Sequence, residues 1–138
     1  MHLALLTTDN ISELLLKILE FTQSRQKVLI ENIKKIYCFD FVPKDLAVDE
    51  FCCQMSGAIV EHLRSQRLLF SDTENIKFGS GGSFEAIPSV DTYAEELLEE
   101  DKDEYLRLQI DKLLENSLNQ RIAAELLRQR QGIVPIFE

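Results

Sequence analysis

Between Asn10 and Ile36 the chain places Leu15, Leu19, Thr22, Gln26, Leu29, Ile33 and Ile36 at alternating steps of four and three. Such steps keep one stripe on one face of a helix, so they predict a long helix over 10–36. Leu14, Ile18, Phe21 and Val28 widen that face beyond a narrow two-stranded seam. Asn10 followed by Glu13 reads as a capping box at its start. Pro43 pushes Val42 out of helical geometry, so the helix is expected to stop before it.

Phe51, Met55, Ile59 and Leu63 recur at helical spacing within a shorter middle helix expected over 45–67, with Asp49 available as its cap and Gly57 weakening it. Leu68-Leu69-Phe70 and Ile76-Lys77-Phe78 flank five polar residues, a pattern that predicts a small β-hairpin over 68–78 leaning on a helix. Gly79-Ser80-Gly81-Gly82-Ser83 opens a flexible linker over 79–90. A second long helix is expected over 91–131, capped by Asp91 or Thr92 with Glu95. Its stripe runs Leu106, Ile110, Leu113, Ser117, Gln120, Ala124 and Leu127, and Gly132 and Pro135 are its stop signals. The expected fold is therefore a mainly α single domain, 1–138. In it the long N- and C-terminal helices pair as a coiled-coil-like bundle, with a shorter middle helix and a small β-hairpin alongside.

Composition narrows the function. At 138 residues there is room for one core, and 45% hydrophobic with 28% charged residues fits a globular chain. A net charge of −9 turns the expectation away from nucleic acid, whose phosphates are held by Lys and Arg. No apolar run approaches the roughly 18 residues of a transmembrane helix, so direct membrane insertion is not expected. The first residues carry no basic, apolar and small-residue succession of a cleaved signal peptide.

Candidate chemistry is sparse. Cys38, Cys52 and Cys53 have neither metal-type spacing nor the even number of a disulfide framework. Cys53 and His62 are nine positions apart, on opposite sides of one helix, so they form no local dyad; His2 stands apart near the first residue. Glu95 to Glu104 reads as a solvated acidic run that favours a helix N-terminus, and Gly79 to Ser83 lacks the Lys of a phosphate loop. No catalytic residue, cofactor or metal is assigned, and no enzyme is expected. Amphipathic helix surface remains, which points to association.

The segment from Leu16 to Ile33 resembles the N-terminal helix of the bacterial flagellar basal-body rod proteins, with the proximal-rod member most similar. Phe21, Arg25, Gln26, Leu29, Asn32 and Ile33 match in register, Phe41 falls on the family's motif Tyr, and Lys44-Asp45-Leu46 falls on its basic-Asp-Leu element. Lys34, Lys35, Cys38, Phe39 and Asp40 stand where Ala, Asn, Thr, Pro and Gly are usual, and Phe-Asp is a costly copy of a Pro-Gly reversal. Leu113-Leu114-Glu115-Asn116 is similar to the family's Leu-Ala-Glu-Asn near its terminal helix.

The resemblance implies a structural subunit of the periplasmic rod, exported without a cleaved signal peptide by the flagellar type III apparatus. Its partners would be other rod or basal-body subunits and the export apparatus, in a homo- or hetero-oligomer. The assembly residues would be Leu15, Leu19, Phe21, Arg25, Gln26, Leu29, Asn32, Ile33, Phe41, Leu106, Ile110, Leu113, Asn116 and Leu127. In a periplasmic setting the three thiols are expected to be buried. The same residues would also form the core of any helical bundle. A soluble, cytoplasmic helical adaptor or export chaperone that binds a partner helix is the alternative.

Overall fold

The N-terminal stripe folds as helix α1, Asn10–Lys34, in a computed structural model that describes residues 9–79 and 84–132. Its cap differs from the expected one. Asp9, not Asn10, accepts the orphan amide of Ser12 at 2.7 Å. Asn10 is freed to reach His62 Nδ1 at 2.9 Å and the carbonyl of Gln66 at 3.1 Å. After α1 the chain reverses through Asp40, whose φ of 62° lies in the left-handed region that Asp tolerates better than most residues. The Phe39-Asp40 pair therefore carries a reversal.

The return leads through a two-residue strand β1, Lys44–Asp45, into helix α2, Val48–Ser65. Asp49 does not cap α2. The N-cap is Ala47, without a side-chain bond, and Asp49 sits in the first turn, where its charge still favours the helix dipole. Strand β2, Ile76–Phe78, pairs antiparallel with β3, Phe84–Ala86, and β4, Ser89–Val90, returns to pair with β1.

The hairpin expected over 68–78 is thus displaced. Ile76–Phe78 finds its partner downstream, in the stretch expected to be linker, and Leu68 to Phe70 is not a strand. The polar residues between them are held by α2 instead. Glu50 accepts from Thr73 Oγ1 at 2.5 Å and from Asn75 Nδ2 at 2.8 Å, while Gln54 bonds the Ser71 carbonyl. Phe70 still stacks on Phe78 at 4.6 Å, a side-chain contact that replaces strand pairing. Of the Gly79 to Ser83 linker, residues 80–83 lie outside the described residues, as do His2 and Pro135.

The second long helix is two helices. Helix α3, Thr92–Glu100, ends at Asp101, whose extended backbone breaks the run, and α4, Lys102–Arg130, begins there. Asp91 caps α3 by accepting from Ala94 N, and Asp101 caps α4 by accepting from Glu104 N, both at 3.1 Å. Asp101 also donates its own amide to the Leu97 carbonyl at 2.7 Å, so one residue closes the first helix and opens the next. Gly132, with φ of 68°, terminates α4.

The long helices α1 and α4 pack against each other along their length, and the rest of the chain lies beside them. Phe21 of α1 stacks on Phe51 of α2 with ring centroids 4.1 Å apart, and Leu14, Leu46, Met55, Ala58 and Ile76 close the main apolar cluster around that pair. A smaller cluster joins Leu15 to Ala123 and Leu127, and a third joins Ala94, Leu98 and Tyr105.

Candidate functional site

The α1–α4 seam buries polar side chains where an apolar stripe is expected. From α4 the buried positions are Tyr105, Gln109, Asn116, Ala123 and Leu127. The expected stripe of Leu106, Ile110 and Leu113 is rotated by one residue, about 100° of helix. Leu106 and Leu113 are half-buried at the flank, and Ile110 and Ala124 are exposed. Only Leu127 of that stripe is buried in the seam.

Each buried polar group of α4 meets a group of α1 or of the return loop. The Tyr105 hydroxyl donates to the Asn32 carbonyl at 2.9 Å. Asn32 Nδ2 is shared between Gln109 Oε1 at 2.9 Å and the Lys44 carbonyl at 2.7 Å, and Asn32 Oδ1 accepts from the Lys44 amide at 3.2 Å. Asn116 Nδ2 donates to the Thr22 carbonyl at 2.8 Å. One asparagine thereby ties α1, β1 and α4 together. Gln109 Nε2, buried in the same place, has no hydrogen-bond partner.

Beside Asn32 lies an ionic group of four side chains. Arg25 grips Asp45 with two parallel bonds of 2.9 and 3.0 Å, and Lys112 bridges Asp45 at 2.9 Å and Asp91 at 2.6 Å. Arg25 is 5% exposed, so its charge depends on this partner. Burial alone would raise the Asp45 pKa, but Arg25 and Lys112 outweigh it and hold the carboxyl below its ordinary value. Burial likewise works against the Lys112 charge, and Asp91 and Asp45 overcome it, raising the ammonium pKa. Tyr105 is pushed up to about 12 by burial and by the nearby Asp91 charge, so its hydroxyl stays a donor. These groups bond one another across α1, β1 and α4, with Glu115 a further 3.9 Å from Arg25, an arrangement that fixes helix register.

Among the assembly residues expected from sequence, Leu15, Phe21, Arg25, Leu29, Asn32, Asn116 and Leu127 are buried within the chain. Leu19, Gln26, Ile33 and Phe41 are half-buried; Phe41 packs against the Ala94, Leu98 and Tyr105 cluster, and Leu19 against Leu15 and Leu127. Sequence reasoning missed Tyr105, Gln109, Lys112 and Ala123. Their own steps of four and three through Asn116 were the available signal, but hydropathy favours the Leu and Ile next to them.

The thiols are not buried: Cys38, Cys52 and Cys53 are all exposed and free. Cys38 lies on the reversal after α1, Cys52 lies on α2 at the edge of the groove that Phe51 and Met55 line, and Cys53 lies on another side of α2. Among the described residues no group of His, Cys, Asp and Glu gathers as a metal site. No described helix is long and apolar enough to cross a membrane. A shallow groove of about 360 Å³ runs between α2 and α4 over α1, lined by Ile18, Met55, Ile59, Ile122 and Leu126 among others. No family model, characterised protein or solved structure matches the chain.

Proposed function

We propose that this chain is a non-enzymatic structural subunit of the bacterial flagellar basal-body rod, built into its proximal part after type III export. The observation that carries the reading is the convergence of its matched residues, which come from one ungapped N-terminal stretch and a separate C-terminal one. Arg25 and Asn32 of the N-terminal match bond Asp45 and Lys44 of the basic-Asp-Leu match. Asn116, from the C-terminal match, bonds the Thr22 carbonyl one turn of α1 away from Arg25. A chance similarity confined to helix periodicity gives no reason for those polar residues to meet. Asp40 adds support by adopting the left-handed backbone at the position matched to the family's Gly.

In this reading the Asn32 and Arg25 groups hold the paired terminal helices in one register, and the outer faces of the pair carry the contacts to neighbouring subunits. Packing of one surface against a different one generates a filament or ring. The groove between α2 and α4 favours a second reading, an adaptor whose groove takes a partner's helix. The test is an immunoblot of purified basal bodies and of periplasmic and cytoplasmic fractions, from cells with and without a working flagellar export apparatus. Export-dependent recovery in basal bodies is expected. Strictly cytoplasmic recovery in both strains would overturn the rod reading in favour of the adaptor.

A further inference from the structure

Helix α4 has a second apolar face, which lies away from α1 at Leu114 and Leu118 and winds at Ile122 and Leu126 into the groove beside α2. Ile110, Leu114, Leu118, Ile122 and Leu126 follow one another every fourth residue and are between 41% and 64% exposed. Neighbours at that spacing touch along a helix, so they form one ridge and not five scattered residues. A contiguous exposed apolar ridge on a monomer surface marks an interaction site.

The charges around the ridge specify its occupant. About position 116 four of the exposed charges are arranged with opposite signs at equal distances: Asp111 and Arg121 lie five positions to either side, Arg107 and Glu125 nine. An antiparallel second copy centred there places Leu114 opposite Leu118 and Ile110 opposite Ile122. The same placement sets Asp111 opposite Arg121 and Arg107 opposite Glu125, twice each by symmetry. A parallel, in-register copy would instead set Arg107 against Arg107 and Asp111 against Asp111. Antiparallel pairing also opposes the two helix dipoles. The strict four-residue spacing inclines the ridge to the helix axis, so the helices cross, and contact concentrates on Leu114, Leu118 and the isoleucines flanking them.

We propose that the chain forms a two-fold symmetric dimer through antiparallel crossing of α4 from two copies, with Leu114 and Leu118 at its centre. The dimer is isologous, so it closes on itself. It does not rest on the rod assignment: the isolated chain is expected to pair whether or not it also packs into a rod.

The test is sedimentation equilibrium of the purified full chain, with reductant present so that the exposed cysteines cannot cross-link. A mass approaching twice 15.9 kDa at high concentration is expected. Leu118→Glu, which leaves the intramolecular core untouched, should retain wild-type helicity and weaken dimerisation at least tenfold. Arg121→Asp should weaken it severalfold, and the double exchange Asp111→Arg with Arg121→Asp should restore it. A constant monomer would mean that the ridge is covered by another kind of partner or by none, and would overturn the proposal. A dimer indifferent to Leu118→Glu, or a double exchange that restores nothing, would overturn it equally.

Discussion

Asn32 and Gln109, 77 positions apart in sequence, meet side chain to side chain at 2.9 Å in the sealed centre of the α1–α4 seam. The two are not equivalent. Asn32 also satisfies both backbone groups of Lys44, whereas Gln109 contributes one acceptor and leaves its own Nε2 without a partner. Asn32→Leu should therefore destabilise by about 2–3 kcal/mol, because it strands groups at the start of β1. Gln109→Met removes an unsatisfied donor together with one bond, and should stay within about 1 kcal/mol of the wild type. Urea unfolding of the two variants checks the asymmetry; equal losses would refute it.

The ionic group beside them makes stability depend on acid. Because Arg25 and Lys112 hold the folded Asp45 pKa below its ordinary value, the unfolded chain takes up the Asp45 proton first as pH falls. The stabilisation is complete above the ordinary carboxylate range near pH 4 and is lost as pH drops through the lowered folded value. Asp45→Asn should cost about 1–3 kcal/mol at pH 7. Its unfolding midpoint should also fall less steeply than that of the wild type below about pH 4. Parallel acid limbs for the two proteins would exclude Asp45 as the group responsible.

The elements were legible where apolar spacing and burial agree. Leu15, Phe21 and Leu29 define the α1 face in sequence and structure alike; on α2 Phe51 and Met55 do so, but Ile59 and Leu63 are exposed and Ala58 is buried in their place. On α4 the two separate. Hydropathy marks Leu106, Ile110 and Leu113, but α1 presents its Thr22 and Asn32 carbonyls and the Asn32 amide, which draw in Tyr105, Gln109 and Asn116. The apolar residues left outside are the ridge from Ile110 to Leu126. A polar seam matched residue to residue across 73 to 94 positions of sequence keeps helical spacing but leaves no trace in hydropathy. The Asp101 break was hidden for a related reason, since the acidic run around it is good helix sequence and only the cap geometry divides it.

That rotation of α4 has a direct test in two aspartates. Leu29 is 0% exposed between the helices, so Leu29→Asp buries an uncompensated charge and should destabilise by roughly 4 kcal/mol or more, enough to unfold the chain. Leu113 is half-buried at the seam's flank, where a carboxylate can turn to water, so Leu113→Asp should cost about 1–2 kcal/mol and leave a folded protein. Circular dichroism and thermal unfolding separate these outcomes. Equal loss of helicity would restore Leu113 to the buried face and overturn the observed register.

Two glycines, one within a helix and one just past a helix end, should respond oppositely to the same substitution. Gly57 lies within α2 on an exposed face, and a Cβ built on it meets nothing within 4 Å. Gly57→Ala keeps the helical backbone, reduces the freedom of the unfolded chain and should stabilise by about 1 kcal/mol. Gly132 also has open space around it, but its φ of 68° is left-handed, and Gly132→Ala should cost about 1 kcal/mol through backbone strain at the end of α4. Because neither substitution adds or removes a packing contact, the difference between their unfolding midpoints reads backbone conformation alone. A stabilising Gly132→Ala would mean that α4 continues through this position without the left-handed stop.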